Sequence, residues 1–171
     1  MSKKLSIIVA ATILGSIGTW AASIATDNAS DVVYDLPGGW TTGDNGGSGF
    51  GAWTLTAGGP SSGSFIGSSI GNADGVDDGA VGGLPGDGDV NTAGEAWGLY
   101  ASAGETSEAV RPLTGGALSV GQSILFSLDN GFIAGGATVG VGIRNSSGEN
   151  LWEVYFTGGD LTYTVNDSVG P

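Results

Sequence analysis

The 171-residue chain has no cysteine and no histidine, and only four lysines and arginines together. Without cysteine no disulfide framework can brace the fold. Without histidine and cysteine, the Ser-His-Asp and Cys-His triads and the usual zinc sites lack their residues. No Walker loop is present, and the Gly-x-Gly runs are not followed by a helical pattern, so they make poor phosphate cradles. So few cations leave no basic footprint for a nucleic-acid backbone, and an anionic membrane surface is equally unsuited. Helical periodicity is absent beyond the first 25 residues, and no repeat of 20–50 residues supports a solenoid or propeller.

What is present begins with Met1-Ser2-Lys3-Lys4, an uncharged run from Leu5 to Gly18, and Trp20-Ala21-Ala22-Ser23-Ile24-Ala25. A basic start, a short apolar centre and small residues at −3 and −1 form a secretory signal peptide, residues 1–25. The preferred cleavage follows Ser23-Ile24-Ala25, with Ala21-Ala22-Ser23 as the alternative. The apolar run falls short of the ~20 residues of a spanning helix. Signal peptidase is therefore an expected transient partner, and residues 26–171 form the exported domain. Loss of Lys3 and Lys4 leaves Arg111 and Arg144 against 17 carboxylates, a net charge of −15. Such a surface favours solvation or divalent-cation binding and says little about fold.

Glycine is abundant, 35 residues, yet it punctuates apolar and aromatic runs and forms no monotonous tract. Short alternating runs between Gly, Asn and Asp turns predict strands. They lie near Asp31–Leu36, Phe50–Thr56, Ser64–Ser68, Ala96–Ala101, Ala109–Leu113, Ala117–Val120 and Ser123–Asp129. Three more follow between Thr138 and Val165. In this last stretch Val139, Val141 and Ile143 alternate with Gly140, Gly142 and Arg144. Trp152, Val154 and Phe156, then Leu161, Tyr163 and Val165, repeat the pattern. A one-residue slip would wet a whole apolar set, so the register is strongly specified. The predicted pairs are Ile143–Trp152, Val141–Val154 and Val139–Phe156, then Phe156–Leu161, Val154–Tyr163 and Trp152–Val165. The nine apolar residues predict burial against a second sheet, at about 1.5–3 kcal/mol per large side chain. The expected fold is all-β: a two-sheet antiparallel β-sandwich, jelly-roll or concanavalin-like.

The opposite face of the meander is mixed. Glu153 is placed between Gly142 and Thr164, with Arg144 diagonal to it as an ion-pair partner. Glu153 and Tyr155 are the candidate carbohydrate-binding residues here, with the glycines leaving room for a ligand. Trp40, in Pro37-Gly-Gly-Trp40, is the third candidate, as an exposed stacking ring. Between Gly58 and Gly94 the composition shifts to Gly, Ser and Asp, with one acidic group at Asp74, Asp77 and Asp78. A second group, Asp87, Asp89, Asn91 and Glu95, alternates oxygen donors as calcium loops do, without the glycine and terminal glutamate of an EF-hand. Calcium is the one cofactor expected. Glu149 with Glu153, and Glu105 with Glu108, are the nearest carboxylate pairs for a glycosidase, and neither spacing specifies a facing pair.

Seven segments in order resemble one family: Asn45-Gly-Gly-Ser-Gly-Phe-Gly-Ala-Trp53, Phe65-Ile-Gly-Ser-Ser69, Trp97-Gly-Leu-Tyr-Ala101, Ala109-Val-Arg-Pro-Leu113, Gly115–Gln122, Asp129-Asn-Gly131 and Trp152-Glu-Val-Tyr-Phe156. The likeness, from Val33 to Asp167, is to PEP-CTERM sorting-domain proteins of verrucomicrobia, planctomycetes and related biofilm formers. It implies an extracellular β-sandwich, sorted by an exosortase-like system and associated with exopolysaccharide, and it carries over no catalytic residue. The family's Pro-Glu-Pro motif, apolar helix and basic tail do not precede Pro171. The expectation is a fragment lacking its sorting tag and last strands; the alternative is release instead of anchoring. The functional expectation is a non-enzymatic protein of the cell surface or extracellular matrix that binds polysaccharide with the help of calcium. A structural surface protein without a defined ligand and a glycan-active enzyme with a carboxylate pair are the alternatives.

Overall fold

A computed structural model describes residues 25–68, 90, 94–128 and 130–167. Among them all regular structure is extended, apart from one 3-10 turn at Val32–Tyr34. The protein is all-β. Its described residues divide into two compact units, one of 25–68, 90 and 94–127, the other of 128 and 130–167.

In the first unit β1 (Thr54–Ala57) pairs antiparallel with β4 (Ser107–Val110), and β2 (Ser62–Gly67) with β3 (Ala96–Ala101). The β1–β2 connection is fixed by Ser62, whose buried hydroxyl accepts from Gly59 N and donates to Gly59 O. Its neighbour Ser61 donates its N–H to Glu105 Oε2 at 2.8 Å, which gives that carboxylate a turn-closing task. A cleft of about 90 Å³ lies between β1, β2 and β4, lined by Leu55, Ala57, Gly63 and Ser107 among others. It is well below the ~300 Å³ at which ligand pockets begin.

Four of the predicted strands are corrected. Asp31–Leu36 is not a strand: Asn28 accepts from Ser30 N, donates to Asp31, and the chain winds into the turn that buries Tyr34. Local side-chain hydrogen bonds of this kind compete with extended pairing, and here they win. Ala117–Val120 and the described part of Ser123–Asp129 carry no strand either. Ser119 N donates to Gln122 Oε1 and Gln122 N to Ser119 O, closing a turn with Gly121 at φ 92°. Val120-Gly121-Gln122 is therefore a turn without strands beside it. Phe50–Thr56 shortens to β1, because Phe50 makes only a single bridge to Leu113 and the Trp53 backbone bonds to Gly43 and Asp44.

The second unit is a meander in the order β5 (Thr138–Arg144), β6 (Asn150–Thr157), β7 (Tyr163–Asp167). Its first register is as the sequence predicts: Val139 opposite Phe156, Val141 opposite Val154 and Ile143 opposite Trp152. The turn is held by Asn145, whose Oδ1 accepts from Ser147 N and Glu149 N while Nδ2 reaches Glu149 Oε2. A bulge follows, pairing Arg144 with Asn150. The second register differs by two residues from the prediction: Phe156 faces Tyr163, Val154 faces Val165 and Trp152 faces Asp167. Asp160 N donates to Thr157 O, closing a turn through Gly158 and Gly159, and Gly158 also bridges Gly135, accepts from Gly136 N and donates to Ala137 O. A Cβ there would sit 2.0 Å from Ala134 O. β7 starts only at Tyr163, and Leu161 is left off the apolar face, 75% exposed. A two-residue shift preserves which face each side chain takes, so the pattern of faces survives. Val154, at the centre, is 1% exposed.

Candidate functional site

The polar face of the meander collects one ordered row of side chains. Glu153 stands on β6, opposite Gly142 on β5 and Asn166 on β7. Asn150 Nδ2 donates to Glu153 Oε2 at 2.8 Å, and Asn166 Nδ2 to Glu153 Oε1 at 3.0 Å. Arg144 Nε donates to Asn150 Oδ1 at 3.0 Å. The expected proximity of Arg144 and Glu153 is thus mediated by Asn150, drawn between them by the bulge. Charge-assisted bonds of this type are stronger than neutral ones, so the carboxylate plane is held in one orientation. Each oxygen receives one amide hydrogen here, and an ionised carboxylate has about four acceptor positions.

Tyr155 is the next residue on this face, opposite Gly140 and Thr164 and partly buried. The two glycines of β5 were expected to leave room for a ligand. At Gly140 the space is already used: a Cβ there would lie 2.3 Å from Val154 O and 2.6 Å from Tyr155 Cβ. Glycine at this position lets β6 approach closely. Gly142 is less crowded, 3.2 Å from Trp152 O.

The other expected residues lie elsewhere. Trp40 is corrected outright: its ring is 5% exposed, edge-on to Trp53 at 5.0 Å and tilted against Trp97 at 6.1 Å. It is core, because the open Pro37-Gly-Gly turn folds it inward and leaves the glycines outside. Asp74, Asp77, Asp78, Asp87, Asp89 and Asn91 lie outside the described residues; Glu95, partly buried, precedes β3. Among the described residues no three acidic side chains gather as metal ligands do. Of the carboxylate pairs, Glu149 closes the hairpin and Glu105 the β1–β2 turn.

A second polar constellation was not legible in the sequence. In the first unit Arg111 pairs with Asp27, both side chains nearly sealed at 6% and 4% exposure. Arg111 also donates to Gly51 O at 3.0 Å and Asn45 Oδ1 at 2.9 Å, and its guanidinium lies over the rings of Phe50 and Trp53. Tyr34 Oη donates to Asp27 Oδ2 at 2.6 Å and accepts from Gly46 N and Trp53 Nε1, each at 3.1 Å. Burial, and then the hydrogen bond to Asp27, hold the Tyr34 hydroxyl above the ordinary tyrosine range. Trp97 closes the cluster edge-on to Tyr34 at 5.7 Å. The guanidinium, carboxylate and phenol satisfy one another, which is the condition for burying charge. The only sequence signal is that Arg111 is one of two cations beyond residue 25. The constellation is a lock tying the first described residues to the end of β4. The water-facing site is the Glu153 row. Comparison of the chain with protein-family models, with curated proteins and with solved structures finds no match.

Proposed function

We propose that this is an exported, non-enzymatic protein of the cell surface or extracellular matrix that binds polysaccharide through the polar face of β5–β7. The observation that carries the reading is the Glu153 carboxylate, fixed by Asn150 and Asn166 and flanked by Tyr155. Fixed acceptors beside an amphipathic ring are what sugar hydroxyls and sugar faces require. Export is supported by the leader pattern. Just past the expected cleavage site Thr26 exchanges backbone hydrogen bonds with Ser48 and the Asp27 side chain is buried, so these residues belong to the fold. The resemblance to PEP-CTERM proteins supports an exopolysaccharide setting. In this reading the all-β domain is a two-sheet, jelly-roll-like sandwich. Its basis is the apolar face of the meander, where Val139, Val141, Ile143, Trp152 and Phe156 are all half-buried around Val154. Calcium, expected from Asp87, Asp89, Asn91 and Glu95, assists.

A glycan array probed with the secreted protein tests the reading. The expected outcome is selective binding that weakens in EDTA. Absence of binding across the array, with matrix retention or self-association instead, defeats the reading in favour of a purely structural protein. Turnover of a bound polysaccharide defeats its non-enzymatic part.

A further inference from the structure

The chemistry of the Glu153 row narrows the class of polysaccharide, and the inference rests on the proposed function above. The described part of the second unit has a single cation, Arg144, against Glu149, Glu153, Asp160 and Asp167. Arg144 is turned along the sheet toward Asn150. An anionic polymer approaching this face meets like charge, which costs several kcal/mol at a binding surface. An uncharged polymer meets none. Both Glu153 oxygens already point along a plane set by two amides, so two adjacent hydroxyls of one sugar can donate to the remaining acceptor positions side by side. Tyr155 lies two residues along the same strand face, about 7 Å away by strand geometry, where it offers an apolar surface and a hydroxyl to the next part of the chain.

We infer that the Glu153 row selects uncharged, hydroxyl-rich polysaccharides. Glu153 is the acceptor for a pair of neighbouring hydroxyls, and Asn150 and Asn166 are positioning residues that set its plane.

The test uses the full secreted chain with two soluble panels in calcium-containing buffer. One holds uncharged glucans, mannans, galactans and xylans; the other holds uronate polymers. Affinity gels give the strength, and amide NMR of the wild-type protein gives the location. At least one uncharged polymer is expected to bind, with little dependence on salt and with shifts concentrated at Gly142, Glu153, Tyr155 and Asn166. Glu153→Gln is expected to weaken it about tenfold or more, the usual loss when a hydrogen bond to a charged group is removed. Asn166→Ala should weaken it severalfold at an unchanged melting temperature, with Asn166→Gln restoring most of it. Uncharged polymers bound with shifts elsewhere, or equally well by Glu153→Gln, overturn the site and leave polysaccharide binding standing. Tight uronate binding overturns the selectivity. No binding to either panel overturns the inference together with the function on which it rests. The shift map needs no variant, so misfolding of a mutant cannot shield the inference.

Discussion

Tyr34 shows how much one side chain carries. Its hydroxyl donates a hydrogen bond to Asp27 and accepts from Gly46 N and Trp53 Nε1, all inside a nearly sealed cluster. Tyr34→Phe deletes one donor and one acceptor and strands three partners, so it is expected to cost about 1–3 kcal/mol in urea unfolding. The pH dependence has a definite sign. Burial and Asp27 keep the native phenol protonated above its ordinary value of 10.0. Below that value both states carry the proton and this residue adds no slope. Above it the unfolded chain loses the proton first, and stability falls with rising pH until the native phenol also ionises. The fall should be shallower in Tyr34→Phe, whose remaining tyrosines are unchanged. Equal slopes in the two proteins would show that Tyr34 is not held in this way. Nothing in the sequence marks this tyrosine. It sits in Asp31-Val-Val-Tyr-Asp35, a run that reads as a strand, and its partners lie 7, 12 and 19 residues distant. Trp40 was misread for the related reason that ring burial depends on partners brought from Trp53 and Trp97.

At the scale of elements, the β5–β6 hairpin was legible because its period-2 pattern and its Asn-Ser-Ser-Gly turn agree. Val141 then has only one register that keeps Val154 dry. β7 was less legible. Its faces were correct but its register lay two residues off: Leu161, which the alternating pattern includes, stays outside the strand, and Phe156 pairs with Tyr163. The bulge that sets Asn150 beside Glu153 was equally hidden, so the sequence pointed to Glu153 but not to the amides that hold its carboxylate. The hairpin also makes a demand on Gly140. Alanine there brings a carbon to 2.3 Å from Val154 O, a contact with backbone that no rotamer relieves. Gly140→Ala is expected to cost about 1–3 kcal/mol, the usual penalty of overpacking. Gly142→Ala, at 3.2 Å from its nearest neighbour, should cost clearly less. Chemical denaturation of the two variants side by side checks the order. A reversed order would mean that the strands are not spaced as described.

For the whole molecule the governing quantity is charge. The chain carries four cations against 17 carboxylates, a formal net charge of −13, and under the proposed export loss of residues 1–25 would leave Arg111 and Arg144 as its only cations. Several apolar side chains nevertheless face water, Leu125, Phe132, Leu161 and Val165 among them. Such groups favour association, while net charge far from zero opposes it through repulsion between copies. At neutral pH repulsion is large, and the protein should scatter light as a single non-associating species at low salt. As pH falls toward the isoelectric point, near 4.1 for the whole chain, the carboxylates protonate and the opposition fades. Reversible association is therefore expected on approach to pH 4. Salt should promote it at pH 7, by shortening the Debye length from about 30 Å at 0.01 M to about 8 Å at 0.15 M. Light scattering against pH at two ionic strengths measures both arms. Association that is strongest at neutral pH and low salt would contradict the charge argument. It would place attraction between copies, and not solvated acidity, in control of how this protein behaves in solution.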